Sequence, residues 1–525
     1  MLYYGYGKIS DYTINVGYPH GFRAGDSFIH PSFAEWVKDE GNFLYNPSYG
    51  MEGYEGTIEW YPPILPYLTA MFSYLTRINP YNLVFFMMIL LTSFAALIMY
   101  LIIRNFNKNI ALLSLPLMPL LFYRNFYAGF TWGQFGFYIG SFFFLAIFWA
   151  LTKLELKNSF ILLGLFLTGA ALAHTSELIL GLGFILFYFI ILFIVKKLKL
   201  KQLKTAIFAI ILFAILSIYY LIIFRYTWIT GFSSHFTFGI TKESEWGAFA
   251  IGRMIDFSWL LPFIILGIIL ILFLVLLQKK TYIAPLVSIY MLLVGFGNYI
   301  MLALAHRAFQ TRFFWPVYLS LFFGIALYQI IKLFFKKVQN MHFVILSAVI
   351  LLFFMLSFYE KPAPGGMMDQ IRWDSFQWIS KNTPEDAKLY FMYGDPYGQT
   401  PIFFITKRLS YAVHIRDYIE SLNNQTVKRY YLSKNNGGLP YVREGLFKFR
   451  LLETPDLVMD LCSFDYYIFD KTGSSPPLVQ YNNFIKQMFL NLGWMEIVHS
   501  NQLLDVVKNN QPGVNCIGFE NRTAQ

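Results

Sequence analysis

Apolar residues in this chain fall in runs longer than a soluble core helix needs. Stretches of roughly 17–25 mostly apolar residues, the length that crosses the hydrocarbon layer of a bilayer, begin near Tyr81, Asn109, Phe130, Asn158, Glu177, Lys204, Phe257, Thr281, Arg312 and Met341. The pattern predicts about ten spans, the one after Asn109 being short. Residues 1–80 break the pattern. They are rich in Gly, Tyr and Pro, with a predicted helix from Pro31 to about Gly41 and a half-apolar stretch from Ile64 to Ile78. Pro62, Pro63 and Pro66 do not suit a helix interior, so the chain should turn there, and the Ile64 stretch should lie along the membrane interface. After Glu360 the pattern changes again. KPAPGG reads as a linker, Met368 to Ser380 as a helix, KLYFMYG, FDYYIFD and GWMEIVHS as strands, and NNFIKQMFLNL as a further helix.

The expected fold class is therefore a multi-pass α-helical membrane protein with a C-terminal soluble α/β domain. Residues 1–80 form a first loop domain with amphipathic helices, 81–359 the transmembrane domain and 360–525 the α/β domain. Within the membrane part, a loop from Arg225 to Asp256 is longer than most connections and contains HFTFGITKESEWGAF.

Composition fits this pattern: of 525 residues 57% are hydrophobic and 14% charged. The net charge of +11 gains meaning from its placement. Arg104, Lys108, Lys153, Lys157, Lys196, Lys197, Lys199, Lys201, Lys204, Lys279, Lys280, Lys332, Lys336 and Lys337 lie in loops expected to share one side, with Glu155 as the only acid. Positive loops resist translocation, so this side should be cytoplasmic. The first 80 residues, the Arg225 loop and everything after Glu360 should then be extracytoplasmic. Charge so distributed is a topology signal, and nucleic-acid binding is not expected. Cys462 and Cys516 fall in the outer tail, where oxidation is permitted, but the sequence leaves their pairing open. Sequons at Asn424 and Asn521 lie on the same side. The polar start MLYYGYGKISDYTIN carries neither a signal peptide nor a span, so a further transmembrane helix upstream of Met1 is expected.

Candidate chemistry concentrates on the outer side. Asp26, in GFRAGDSFIHPSFAEW, stands at the water–membrane boundary, where a carboxylate can take a proton from a hydroxyl, hold a divalent cation such as Mg or Mn, or simply cap a helix. His30 shares its face if the segment is helical through Pro31. Glu59, Trp60 and Tyr61 precede a Pro-Pro turn, joining an acid to two aromatic faces that can stack on a sugar or belong to an interfacial belt. Arg124, Trp132, Gln134, His174, Glu177, His306, Arg307 and Arg312 lie at outer helix ends, where cations run against the charge bias and suit a phosphate. His174 and Glu177 either join that group or cap a hairpin with Thr175 and Ser176. No P-loop, dinucleotide fingerprint or zincin motif is present in the sequence.

With GDSFIHPSFAEWVKDEGNF, EWYPPILPYLTAMFSYLTRINPYN, ALAHTSELILG, HRAFQTRFFWPVYLSLFFG and WISKNTPEDAKLYFMYG in this order, the chain resembles prokaryotic, especially archaeal, members of the GT-C glycosyltransferase superfamily. The resemblance implies sugar transfer from a polyisoprenyl-phosphate donor on the outer face, with Asp26 as base or cation ligand. It also implies a Tyr-Pro-Pro element at Tyr61, Pro62 and Pro63, and a late-helix arginine at Arg312 or Arg307. The acceptor is a glycan, lipid or protein hydroxyl, and membrane lipid is the other partner. Two departures stand out: the family's first helix is missing, and the tail lacks the W-W-D-Y-G motif of oligosaccharyltransferase catalytic subunits. The rival expectations are a transporter or lipid flippase, and a non-catalytic scaffold with a glycan- or protein-binding tail. Gly295, Gly297 and Asn298 offer the one hint of a broken mid-membrane helix that a transporter would use.

Overall fold

The computed structural model describes residues 18–19, 21–23, 26–43, 61–221, 260–277, 282–296, 311–335, 338–357, 368–392, 405–411, 429–432, 457–460, 462–471 and 476–516. The Arg225 loop, the KPAPGG linker, both sequons, the first 17 residues and Gly297–Asn298 lie outside them.

Each apolar run marked by the sequence coincides with helix. In chain order the described helices are α1 Asp26–Glu40, α2 Ile64–Thr76, α3 Pro80–Phe106, α4 Lys108–Ser114, α5 Arg124–Thr131, α6 Phe135–Leu151, α7 Ser159–Ala173, α8 Thr175–Ile194 and α9 Leu200–Leu216. They continue with α10 Leu261–Leu272, α11 Ile283–Phe296, α12 Trp315–Phe334, α13 Asn340–Ser357, α14 Gln370–Asn382 and α15 Pro476–Asn491. Among the described residues four helices, α3, α8, α12 and α13, are long and apolar enough to cross a membrane by length and composition. The segment after Asn109 is short for a reason: Pro116 and Pro119 convert its second half to a 3-10 turn over Leu115–Phe122.

Two expectations about proline need correction. The first-loop helix starts at Asp26, five residues before Pro31, and keeps Pro31 inside it. Pro31 cannot donate to the Ser27 carbonyl, but nine of the fifteen residues of α1 are buried, and that packing holds the turn. Phe33, Trp36 and Phe43 form a core with Tyr61 against it, each large side chain contributing roughly 1.5–3 kcal/mol by burial. Pro66 likewise lies inside α2, in its first turn, where a helix has no use for the missing N–H.

The long helix α3 gives the molecule two ends, about 40 Å apart by helical rise over its 27 residues. At its C-terminal end Asn105 donates to Thr152 (3.4 Å), Asn109 donates to Asn340 (3.1 Å), and Lys199 pairs with Glu155 (2.8 Å). The described loops around Arg104, Lys153 and Lys199 therefore lie together at one end. At the other end Tyr81 is hydrogen-bonded to Ser32 of α1 (3.0 Å) and meets Trp373 of α14 edge-on (5.3 Å).

Beyond α13 the chain forms a five-stranded sheet in the order β2-β1-β5-β7-β6. Its strands are β1 Lys388–Met392, β2 Leu409–Tyr411, β5 Tyr466–Asp470, β6 Met495–Ser500 and β7 Leu504–Asn509, while β3 Arg429–Leu432 and β4 Leu457–Asp460 pair separately. β1, β2 and β5 are parallel, and β7 and β6 add antiparallel. All five residues of β5 are buried, as a central strand requires. Cys462 and Cys516 are bonded across 54 residues, which answers the question left open by the sequence. The tail meets the first loop through Lys407–Asp39 (2.7 Å) and α3 through Trp373 on Tyr81.

Candidate functional site

At the end of the molecule opposite the basic loops, four separate segments meet around α1. Asp26 lies half-buried in its first turn. One turn on, His30 projects from the same face and is 6% exposed. Burial first, then the nearby His174, pushes His30 down to about 3, against a weaker opposing hydrogen bond to the Gly133 backbone. It is a neutral ring at ordinary pH, and its Nδ1 has no hydrogen-bond partner among the described residues.

What seats α1 is the turn between α5 and α6. Ser27 Oγ donates to the Thr131 carbonyl (2.6 Å) and the Arg23 amide donates to the same oxygen (2.8 Å). Gly133 follows at φ +75°, and a Cβ there would lie 2.6 Å from Ser27 Cα and closer still to the Ser27 nitrogen. Backbone thus rests on backbone beneath Asp26. Only glycine combines that φ with that approach.

The next turns of α6 make a notch. A Cβ on Gly136 would meet Tyr61 Oη at 2.7 Å and His174 Cδ2 at 3.1 Å. One on Gly140 would meet Glu177 Oε2 at 2.9 Å and His174 Cβ at 3.0 Å. The two glycines stand four apart, on one face, and the small-xxx-small spacing lets the α7–α8 hairpin close in. Inside the notch the His174 Nδ1 and Glu177 carboxylate are paired, with Glu177 1% exposed. His174 occupies the N-cap position of α8 but makes no side-chain cap bond, its ring being bound to Glu177. Tyr61 reaches from the Tyr-Pro-Pro turn to stand 5.3 Å from the His30 ring.

Asp26, His30, Tyr61, His174 and Glu177 are thus brought to one end of the molecule, the last four in a contiguous cluster. Trp132 and Gln134 flank Gly133 in the turn that seats α1. Arg124 and Arg312 fall in helical turns whose side chains are outside the described residues, as are Glu59, Trp60, His306 and Arg307 altogether. Among the described residues no three His, Cys, Asp or Glu side chains gather as a metal site, so they do not by themselves supply the donor set a divalent cation needs. Sequence reasoning passed over Gly133, Gly136 and Gly140. A glycine offers no functional group, and the one available signal was the G-x-x-x-G spacing inside an apolar run.

No family model matches the chain, and no curated protein matches it in sequence. Solved structures do match in shape. The oligosaccharyltransferase of Archaeoglobus fulgidus in its apo form superposes with a TM-score of 0.57 at 11% identity, over 91% of this chain and 71% of that one. The chain shares that fold. AglB of the same organism, solved with an inhibitory peptide and a dolichol-phosphate, gives 0.54 at 12% identity, over 89% and 68% of the two chains. A complex of the A. fulgidus enzyme with zinc and sulfate gives 0.53 at 12% identity, over 89% and 67%. The likeness is one of fold, and among the described residues it accompanies four helices long and apolar enough to cross a membrane.

Proposed function

We propose that this chain transfers a sugar from a polyisoprenyl-phosphate-linked donor to an acceptor hydroxyl on the outer face of the membrane. About ten helices would span the bilayer, with residues 1–80 and the tail from residue 360 extracytoplasmic. The observation that carries the reading is the position of Asp26. It is a half-buried carboxylate in the first turn of α1, seated on the Gly133 backbone beside a cluster of imidazole, phenol and carboxylate groups, in a chain with a glycosyltransferase fold.

In this reading Asp26 accepts the proton of the acceptor hydroxyl as the oxygen bonds to the anomeric carbon. The bond from that carbon to the phosphate oxygen breaks, and its electron pair leaves with the phosphate. Arg312, Arg307 and His306 stabilise the departing anion, where a poorly hydrated interface strengthens each contact. His174, tied to Glu177, borders the acceptor side with Tyr61. The solved structures of similar fold hold dolichol-phosphate in one case and zinc with sulfate in another, and a lipid-linked donor here accords with the first.

The test is Asp26→Asn in membrane vesicles supplied with polyprenyl-phosphate sugar. Donor consumption should fall at least about 100-fold, the scale of losing a general base, with the thermal unfolding temperature unchanged. Undiminished turnover removes Asp26 from the mechanism. Absence of donor consumption by the unaltered protein favours a flippase or scaffold instead.

A further inference from the structure

At the end of the molecule remote from Asp26, the loops joining α6 to α7 and α8 to α9 and the start of α9 carry seven lysines, Lys153, Lys157, Lys196, Lys197, Lys199, Lys201 and Lys204, with Glu155 as the one acid between them. The loops are built. Lys199 Nζ binds both Glu155 oxygens (2.8 and 2.9 Å), Gln202 Nε2 donates to the same carboxylate (3.1 Å), and Lys201 Nζ donates to the Glu155 carbonyl (2.6 Å). Thr205 Oγ1 ties α9 to the Leu154 carbonyl (3.2 Å). The single acid is therefore used internally, while Lys157, Lys196 and Lys204 stand exposed around it.

A second observation concerns what lies between the lysines. Leu156, Phe193, Ile194 and Leu200 are 60–72% exposed at the same level. Phe193 and Ile194 end α8, Leu200 opens α9 and Leu156 lies in the loop before α7, so four large apolar side chains stay uncovered next to the lysines. Lysines that extend outward from apolar flanks are what a headgroup layer with acyl chains beneath it accommodates.

We propose that this collar is a binding site for the headgroups of anionic phospholipids, with the apolar side chains against the upper acyl segments. The lysines offer positive charge, and the apolar groups offer a reason for the anion to arrive attached to a lipid. The site is independent of the chemistry at Asp26.

The test uses the full-length protein in nanodiscs of equal parts phosphatidylglycerol and phosphatidylcholine, extracted gently and read by native mass spectrometry. Phosphatidylglycerol should be retained over phosphatidylcholine. Replacing Lys157, Lys196 and Lys204 together by Gln should reduce its retention roughly 100-fold, about five-fold for each basic residue at an anionic surface. The matched Lys→Arg triple variant should keep it, which separates loss of charge from loss of folding. Equal retention of the two lipids by the unaltered protein overturns the proposal. So does full retention of phosphatidylglycerol by the Gln variant. Thermal stabilisation by inorganic phosphate equal to that given by a short-chain phosphatidylglycerol would show an anion site without lipid character, and overturns it as well.

Discussion

Replacing Gly133 by alanine should separate two effects that a glycine can hide. A Cβ at residue 133 would lie 2.6 Å from Ser27 Cα, whereas carbon atoms pack at about 3.5–4.0 Å. The first turn of α1 would then have to retreat by about 1 Å, taking Asp26 with it. Backbone cannot swing aside as a side chain can, because Ser27 and Arg23 are both bonded to the Thr131 carbonyl. To this is added the left-handed φ of +75°, which disfavours an L side chain by about 1–2 kcal/mol. Gly41 supplies the control. It has φ +72° and nothing within 4 Å of an added Cβ, so Gly41→Ala registers the conformational part alone. Thermal unfolding in detergent should therefore show a small loss for Gly41→Ala and a loss larger by about 1–3 kcal/mol, the range for overpacking, for Gly133→Ala. In the transfer assay the contrast should be sharper, since a misplacement of about 1 Å lowers rates about 100-fold. Equal effects of the two substitutions on stability and turnover would refute the claim that backbone contact at Gly133 sets the position of Asp26.

Three further outcomes follow from contacts elsewhere. Glu177→Ala should lower stability by about 1–3 kcal/mol, because it leaves the His174 ring without its hydrogen-bond partner; chemical denaturation measures it, and no measurable change would show that the pair contributes nothing to the fold. Cys462→Ser opens a loop closed across 54 residues and should destabilise the sheet region by about 4 kcal/mol on the chain-entropy scale, read by limited proteolysis of the tail with and without reductant. Because His30 is held near 3 against 6.5 when unfolded, the unfolded chain takes up a proton that the folded one refuses. Stability present above pH 6.5 should decline by about 1.4 kcal/mol per unit as pH falls between these values, and His30→Gln should flatten that slope.

Much of the architecture could be read from residues alone, and the reasons differ by element. Starts of apolar runs such as Tyr81 and Met341 fall within one residue of the first residues of helices Pro80–Phe106 and Asn340–Ser357, because bilayer thickness fixes how long such runs must be. Pro31 and Pro66 misled because the effect of proline depends on its turn and on the packing around it. β7, LDVVKN, went unmarked since a short strand with charge near both ends carries little alternation. At the candidate site, their place at an outer helix end brought His174 and Glu177 forward together. The notch that receives them was invisible, because Gly136 and Gly140 act through the space they leave.

The Lys407–Asp39 pair ties helix α1 to the described part of the tail, although 368 positions separate the two residues. Trp373 leans on the Tyr81 ring that Ser32 grips. A chimaera that exchanges the tail between related proteins would have to carry helix α1 along with it. Grafted without that helix, a foreign tail would lose the partner that Asp39 offers to Lys407 at the far end of α1.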